Sequence, residues 1–174
     1  KTVSIGFIIY GIPKTDNSFS LFPGILTRRG RNFWMQKLKE QLTVFATGAA
    51  GYPIIELIWR QSTHWSMALA GGTCLLLLYN LYGKFTKLSL GLKCLLGSGV
   101  ITAVEFVAGL IVNCWQNWNV WDYSCFKFHF MGQICLVYSV LWGFLCLPVS
   151  GLCKAMRKRL HSEPKKLLKG KKAW

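Results

Sequence analysis

The sequence predicts an all-α integral membrane protein, a bundle of four transmembrane helices with both termini in the cytoplasm. Two observations predict this fold. Hydrophobic residues make up 52% of the 174 residues, yet the formal net charge is +15. The 21 lysines and arginines lie between long apolar runs and do not form one basic face. This distribution is typical of a membrane protein, so we expect no nucleic-acid partner.

Four apolar runs have the length that a membrane span requires. Each is close to the ~20 residues that cross a ~30 Å hydrocarbon core. The predicted spans are residues 41–59, 65–82, 92–115 and 131–153. A soluble all-helical core is the alternative, since the first two runs are short and contain glycine and polar residues.

The basic residues give the predicted orientation. Seven of them precede residue 40, three lie between Lys84 and Lys93, and nine follow Cys153. The other two connections carry only Arg60 and Lys127. Because connections rich in Lys and Arg stay in the cytoplasm, we expect both termini inside and the loop of residues 116–130 outside.

The two ends of the chain differ from its middle. Residues 1–40 mix Pro, Gly and Ser with scattered apolar residues, which predicts a loosely ordered basic cytoplasmic leader, with an interfacial helix from Phe33 to Lys39 that leads into the first span. The apolar run Val3–Ile12 is followed by no convincing cleavage site, so we expect no cleavable signal peptide. Residues 154–174 predict a basic cytoplasmic tail that contacts anionic lipid, with about 1 kcal/mol per charge near the surface.

The third span, "ITAVEFVAGLIVNCW", carries Glu105 near its middle. At 1.5 Å per residue its position is ~15 Å from the outer end, where a charge costs on the order of 2.5–3.5 kcal/mol. Thr102, Glu105, Gly109 and Asn113 share one helical face, which we expect to line the bundle interior. Glu105, Thr102 and Asn113 are therefore candidates for binding a substrate or a proton. A buried hydrogen bond from a tyrosine or asparagine to Glu105 is the alternative.

The first span repeats this pattern. Tyr52 and Glu56 lie four residues apart on one helical face, and both are candidates for the same site. Pro53 removes a backbone hydrogen bond and frees the carbonyl of Ala49. Arg60 follows Glu56 by four residues, so an ion pair at the interface is the alternative role of Glu56.

The remaining polar groups predict no metal, cofactor or catalytic site. Asp122 and His129 in the outer loop lack a third ligand, and a turn capped by Asp122 is the simpler interpretation. The seven cysteines form no C-x-x-C pair, so we expect neither a metal site nor a structural disulfide. There is no phosphate loop, H-E-x-x-H or G-x-S-x-G motif. We therefore expect no enzyme and no bound cofactor.

Three segments resemble the CmpB-type membrane proteins: "GYPIIELIWR", "ITAVEFVAGLIVN" and "WDYS…MGQICLVYSVLWGFL". Those bacterial proteins are labelled type IV permeases of ABC transporters, and they are similar to a small eukaryotic transmembrane family. The resemblance covers about residues 45–147 and includes the glutamates Glu56 and Glu105. Its most specific motif is Trp121, Asp122, Tyr123 and Ser124, followed by Gly132, Ile134 and Leu136. The resemblance implies that the four consecutive residues Trp121–Ser124 are candidates for a site in the outer loop.

Two functions are compatible with these features. The first is a transport-associated, permease-like subunit in a bacterial cytoplasmic membrane, for which the resemblance implies a partner ATPase. The alternative is a structural or assembly factor that moves no substrate and binds lipid or partner helices. Pairs of small residues such as Ala68 with Gly72 and Ser139 with Gly143 would serve such contacts. Because four spans form a thin bundle, either function would need a homo-oligomer or a partner membrane subunit.

Overall fold

The computed structural model describes residues 28–170, with side chains described for residues 30–161. Residues 1–27, which include most of the predicted leader and the segment considered as a signal peptide, lie outside this part of the chain. So do residues 171–174 of the predicted tail.

The chain divides into two compact units, Lys1–Met35 and Gln36–Trp174. Of the first unit only residues 28–35 are described, and they are helical. In this stretch the rings of Phe33 and Trp34 meet edge to face, with their centroids 6.2 Å apart. Apart from residues 28–35, which begin the first helix, the features that follow belong to the second unit.

Four helices form the architecture: α1 (Arg28–Arg60), α2 (Trp65–Lys84), α3 (Leu90–Gly109) and α4 (Leu136–Gly170). Helix α3 continues as a π-helical segment, Leu110–Trp115. Two short antiparallel strands, β1 (His129–Phe130) and β2 (Ile134–Cys135), precede α4. All four helices are long and apolar enough to cross a membrane. The predicted four-span helical architecture is therefore confirmed.

The exposed surface of the helices is strongly apolar. The side chains of Ile58, Leu95 and Phe144 are 79%, 69% and 65% exposed. Backbone N–H and C=O groups form their hydrogen bonds within each helix, so an apolar outer surface is stable in contact with lipid acyl chains. In water an apolar surface of this extent would promote association. The surface therefore fits a protein solvated by lipid.

Two boundaries differ from the sequence prediction. Helix α1 begins at Arg28, so residues 28–32 are helical where a loosely ordered leader is predicted, and the helix predicted for residues 33–39 is continuous with the first span. These residues include several strong helix formers in succession, from Met35 to Lys39. At the other end, α4 continues to Gly170, so the described part of the basic tail is also helical.

The predicted fourth span, residues 131–153, begins too early. Met131 and Gly132 have φ values of 53° and 68°, which a right-handed helix excludes. Residues 131–135 instead form the turn and the second strand of the β1–β2 hairpin, and the helix begins at Leu136. The third span also differs, because its last turn is π-helical.

Helices α1 and α2 approach closely at two glycines. A Cβ atom on Gly71 would overlap the Cβ atom of Tyr52 and would lie 2.8 Å from the carbonyl oxygen of Gly48. A Cβ atom on Gly48 would likewise overlap the carbonyl oxygen of Gly71. The crossing therefore requires glycine at both positions, and it fixes Tyr52 against α2.

The core lies between this crossing and the end of the bundle that carries the α2–α3 turn, which we call the tail end. Val44, Leu78, Tyr79 and Cys146 are its most completely buried side chains. The hydroxyl of Tyr79 donates to the carboxylate of Glu40 on α1.

Arg157 on α4 contacts the same tyrosine and so joins α4 to α1 and α2 at the tail end. Its Nη2 donates to the carbonyl oxygen of Tyr79 at 2.6 Å, and its guanidinium lies 4.2 Å from the centroid of the Tyr79 ring. One basic residue of the predicted tail is thus a structural link between α2 and α4.

The close crossing generates a stability prediction. We expect Gly71→Ala to lower the free energy of unfolding by about 1–3 kcal/mol, because its methyl group has no space against Tyr52. Unfolding by SDS in bicelles measures this change.

Gly51→Ala is the matched control, since a Cβ atom there has no neighbour within 4 Å. It should leave stability unchanged or raise it by up to about 1 kcal/mol through helix propensity. Equal stability of Gly71→Ala and the wild type would contradict the close packing of α1 and α2.

Candidate functional site

The site is built around Glu105, whose side chain lies in the interior of the bundle with 6% residue exposure. Each carboxylate oxygen accepts one hydrogen bond. The Tyr123 hydroxyl donates to Oε1 at 2.8 Å, and the Trp142 indole N–H donates to Oε2 at 2.8 Å. Both donors are neutral, and no described basic side chain forms an ion pair with Glu105. Hydrogen bonds from the protein therefore offset the loss of water around this carboxyl group.

A small cavity adjoins Glu105, and its wall is formed by residues of α1, α2 and α3 and by one residue of the segment between α3 and α4. Its volume is about 10 Å³, which is close to the space that one water molecule needs. Glu105 and Tyr52 are the residues of its wall that carry side-chain oxygens. Apolar or weakly polar side chains form the rest: Met67, Ala70, Cys74, Ile101, Val104, Ala108 and Trp121.

The segment between α3 and α4 folds back onto the bundle as a cap, defined here as residues 116–135. Asn113 in the π-helical segment holds it with three hydrogen bonds. Its Nδ2 donates to the carbonyl oxygen of Trp121 and to Oε1 of Gln133, both at 2.8 Å, and its Oδ1 accepts from the backbone N–H of Val120 at 2.8 Å. Asn113 and Gln133 are both buried, so the cap has a polar interior of its own.

Each residue of the Trp121–Ser124 motif has a distinct contact in the cap. Trp121 is buried, and its indole N–H donates to the carbonyl oxygen of Gln133 at 3.0 Å. The carboxylate of Asp122 accepts from the hydroxyl and the backbone N–H of Ser124, at 2.6 and 2.8 Å. The turn formed by Asp122 and Ser124 lies against Gly132, where any Cβ atom would be 2.7 Å from Asp122 Oδ1. The motif therefore fixes the position from which Tyr123 reaches Glu105.

The environment of Tyr123 keeps its hydroxyl group protonated, so that it can donate a hydrogen bond. Its ring stacks on Tyr138 with the centroids 4.6 Å apart. Burial, followed by the proximity and hydrogen bond of Glu105, raises the pKa of the Tyr123 hydroxyl. The phenol therefore remains protonated and continues to donate to the carboxylate.

Asp122 lies at the exposed surface of the cap. The hydroxyl of Ser124, together with its backbone N–H, lowers the pKa of the Asp122 carboxyl. Within the described residues no group of three His, Cys, Asp or Glu side chains could hold a metal ion. His129, the second polar residue considered in this loop, instead accepts a hydrogen bond from the backbone N–H of Gly132 at 3.1 Å.

Glu56 has a different environment from Glu105. Its Oε1 lies 2.9 Å from Nη2 of Arg60, and its Oε2 accepts from the Thr63 hydroxyl at 2.6 Å. The predicted ion pair is confirmed, although Glu56 is more buried than its place near the helix end suggested, at 7% exposure. Among the buried polar side-chain atoms in the described part of the chain, Nε of Arg60 is the one without a hydrogen-bond partner.

Three candidates, Thr102, Asn113 and Ser124, form their hydrogen bonds with partners other than Glu105. The hydroxyl of Thr102 donates to that of Ser139 at 3.0 Å, and Asn113 binds the cap. The polar face of α3 is thus interior, but its members contact different partners. Ser124 supports the cap at its surface.

Three contributing residues were missed by the sequence analysis: Trp142, Thr63 and Gln133. Trp142 offered a signal, because a tryptophan far from the ends of an apolar span needs an acceptor for its N–H group. Thr63 and Gln133 offered none, since their roles depend on how two connections fold back onto the bundle.

The cap generates a prediction at Asn113. Asn113→Leu removes the partners of three groups in the cap, and each buried group left unpaired costs about 1–3 kcal/mol. We expect a lower free energy of unfolding and faster proteolysis of residues 116–135. Asn80→Leu is the control, because the bond of Asn80 to Gln41 is exposed and water can replace it. Unchanged protease resistance of Asn113→Leu would contradict this role.

Ser124 generates a prediction about pH. Because the pKa of Asp122 is lowered in the folded cap, its stabilising effect is present above the unfolded pKa and is lost as pH falls through the folded pKa. We expect Ser124→Ala to raise the pKa of Asp122 toward its ordinary value. A carboxyl ¹³C titration can follow it, since Asp16 and Asp122 are the sequence's only aspartates. Ser150→Ala should have no effect, and the same pKa in both variants would show that the Ser124 hydroxyl is not the cause.

Comparison with known proteins gives one result. Residues 44–170 match the model of the ABC_trans_CmpB family, described as "Putative ABC-transporter type IV". No curated protein and no solved structure matches the chain. The match includes the C-terminal half of α1, the whole of α2, α3 and α4, both buried glutamates and the cap. Since it covers well over half of the sequence, this chain belongs to the CmpB-type family and is a multi-pass membrane protein.

Proposed function

We propose that this chain is a transport-associated membrane subunit in which Glu105 takes up and releases a proton or a cationic substrate. One observation carries the proposal: the carboxyl group of Glu105 is buried among neutral donors, next to a cavity of about one water molecule. Intramembrane ionisable residues are rare because they are costly, and they commonly lie on ion or proton pathways.

The hydrogen bonds of Glu105 suit a group that changes its charge. Neither donor carries a charge, so neither would be left as an unpaired buried ion when the carboxyl group is neutral. A buried salt bridge behaves differently, since neutralising one partner leaves the other uncompensated at a cost of about 3–5 kcal/mol. Glu56, which is paired with Arg60, fits a fixed charge for this reason.

The proposal includes partners. The chain contains no nucleotide-binding phosphate loop, so an ATP-driven cycle would need a separate ATPase. Four helices enclose little space, which favours a homo-oligomer or a second membrane subunit. Helix ends rich in Lys and Arg support a cytoplasmic location for the tail end, in contact with anionic lipid in a bacterial membrane.

The test is the protonation of Glu105 in lipid. In pH-difference infrared spectroscopy we expect a carboxyl C=O band that appears and disappears as the pH is stepped and that is absent in Glu105→Gln. Glu40→Gln is the control, because Glu40 lies at the tail end and bonds Tyr79 there. Its removal should leave the band in place.

A wild type without such a band would contradict the proposal. So would a Glu105→Gln variant that inserts and folds but keeps the band. In either case the carboxylate would be a structural group, and the protein would be an assembly factor that binds lipid or partner helices.

A further inference from the structure

A groove runs between α2 and α3 on the outside of the bundle, with a volume of about 580 Å³. Small side chains line much of it, from Ala70 and Thr73 on α2 and from Ala103 and Ala108 on α3. Facing small residues usually let two membrane helices approach closely. Here the side chains of Thr73 and Ala103 are exposed, so the two helices leave the space between them open.

The lining of the groove is uncharged and mostly apolar. Exposed aliphatic side chains border the small residues, among them Leu69, Leu77, Val107 and Ile111. These side chains continue the apolar outer surface that the helices present to lipid. No residue of the lining is acidic or basic, so the groove offers nothing that would hold an ion. It is suited to an apolar ligand from the membrane itself.

The groove is about as long as one leaflet of a bilayer. From Trp65 at the cap end to Leu77 on α2 it extends about 18 Å, at 1.5 Å per residue. The hydrocarbon core of a whole bilayer is ~30 Å thick, and each head-group region adds a few ångströms. The groove therefore extends from the membrane interface at the cap end to about the middle of the bilayer.

The width of the groove distinguishes an acyl chain from a helix. Its volume, spread over that length, corresponds to a width of about 6 Å. An acyl chain is about 4–5 Å wide, judged from carbon contact distances. A helix with its side chains is about 10–12 Å wide. A partner helix would therefore rest on Leu69 and Ile111 and leave the groove empty, which forfeits dispersion contacts.

The cap end of the groove carries neutral hydrogen-bond donors. Trp65 and Gln116 line this end, and the ring of Trp118 packs on Trp65 with the centroids 5.5 Å apart. All three side chains are exposed, and no hydrogen bond between described residues uses their N–H groups. Tryptophans at a membrane interface keep the ring in the apolar region and the N–H toward the head groups. These donors can therefore bind ester or phosphate oxygens.

We propose that the groove between α2 and α3 binds one acyl chain of a membrane lipid, with the lipid head group at the cap end beside Trp65 and Gln116. The site is at the opposite end of the bundle from the basic tail, whose contact with anionic lipid depends on charge. It goes beyond the proposed function and does not depend on proton or cation binding at Glu105.

The position of the groove connects it with the interior of the bundle. Ala70, Val104 and Ala108 line both the groove and the small cavity beside Glu105. Two of these three side chains are single methyl groups, so the layer between the groove and the cavity is thin. A bound acyl chain adds a second apolar layer there and keeps water from reaching the carboxyl group from the membrane side.

The experiment uses a phospholipid with a photoactivatable diazirine in the middle of one acyl chain. It is added in trace amount to vesicles of phosphatidylethanolamine and phosphatidylglycerol that contain the full-length protein, and mass spectrometry locates the adducts after irradiation. We expect adducts in the groove to exceed those at Leu95 and Phe144, although these side chains are 69% and 65% exposed.

Two variants fill the groove from opposite sides. Ala103→Phe should lower labelling of the groove about tenfold, because losing contact with even two methylene groups costs about that factor in binding. Thr73→Phe should act in the same way from α2, which gives a second reading if one variant folds poorly. Ala50→Phe is the matched control, since Ala50 is exposed on α1 outside the groove. It should leave labelling of the groove unchanged.

Three outcomes would overturn the proposal. Equal labelling of the groove, Leu95 and Phe144 would show ordinary contact with bulk lipid. Labelling of Leu95 and Phe144 with none in the groove would show that a second copy or a partner helix covers it. Wild-type labelling of the groove in folded Ala103→Phe and Thr73→Phe would show that no acyl chain lies between these residues.

Discussion

Glu105 places an ionisable group inside an apolar helix, and the structure around it depends on how that group is satisfied. Its two donors come from Tyr123 in the cap and Trp142 on α4. Tyr123 reaches the carboxyl group because residues 116–135 fold back onto the bundle, and Trp142 reaches it because α4 packs against α3. The bonds of Asn113 and the turn at Gly132 produce that fold. One buried carboxyl group thus couples the cap to the transmembrane helices, because its donors are far apart in sequence.

The two buried glutamates illustrate how environment divides similar residues between roles. Glu56 pairs with a guanidinium and a hydroxyl, and such a pair stabilises its charge. Glu105 has only neutral hydrogen-bond donors, which tolerate a change of charge without leaving a buried ion behind. The proposed exchange of a proton at Glu105 rests on this difference between the two residues. The distinction arises from the partners and not from depth, since both residues are almost equally buried.

Helix packing sets the positions of the residues around Glu105. The contact of Gly48 with Gly71 brings α1 against α2 and holds Tyr52 at the wall of the cavity. At the tail end, Glu40, Tyr79 and Arg157 join α1, α2 and α4 through hydrogen bonds and a cation–π contact. The bundle is therefore anchored at the end remote from the cap, and the carboxyl groups lie between these two fixed regions.

The sequence by itself determined the number of spans, the interior face of α3, the buried position of Glu105 and the pairing of Glu56 with Arg60. These features follow from local rules: hydropathy over about 20 residues and side chains that recur with the helical repeat. Only the tertiary structure decided that Tyr123 and Trp142 bind Glu105, that Thr102 and Asn113 face other partners, and that residues 131–135 form a hairpin. Each of these depends on contacts between residues distant in sequence or on positive φ values at a turn. No periodic pattern encodes such contacts, because hydropathy specifies which face is buried but not what lies opposite it.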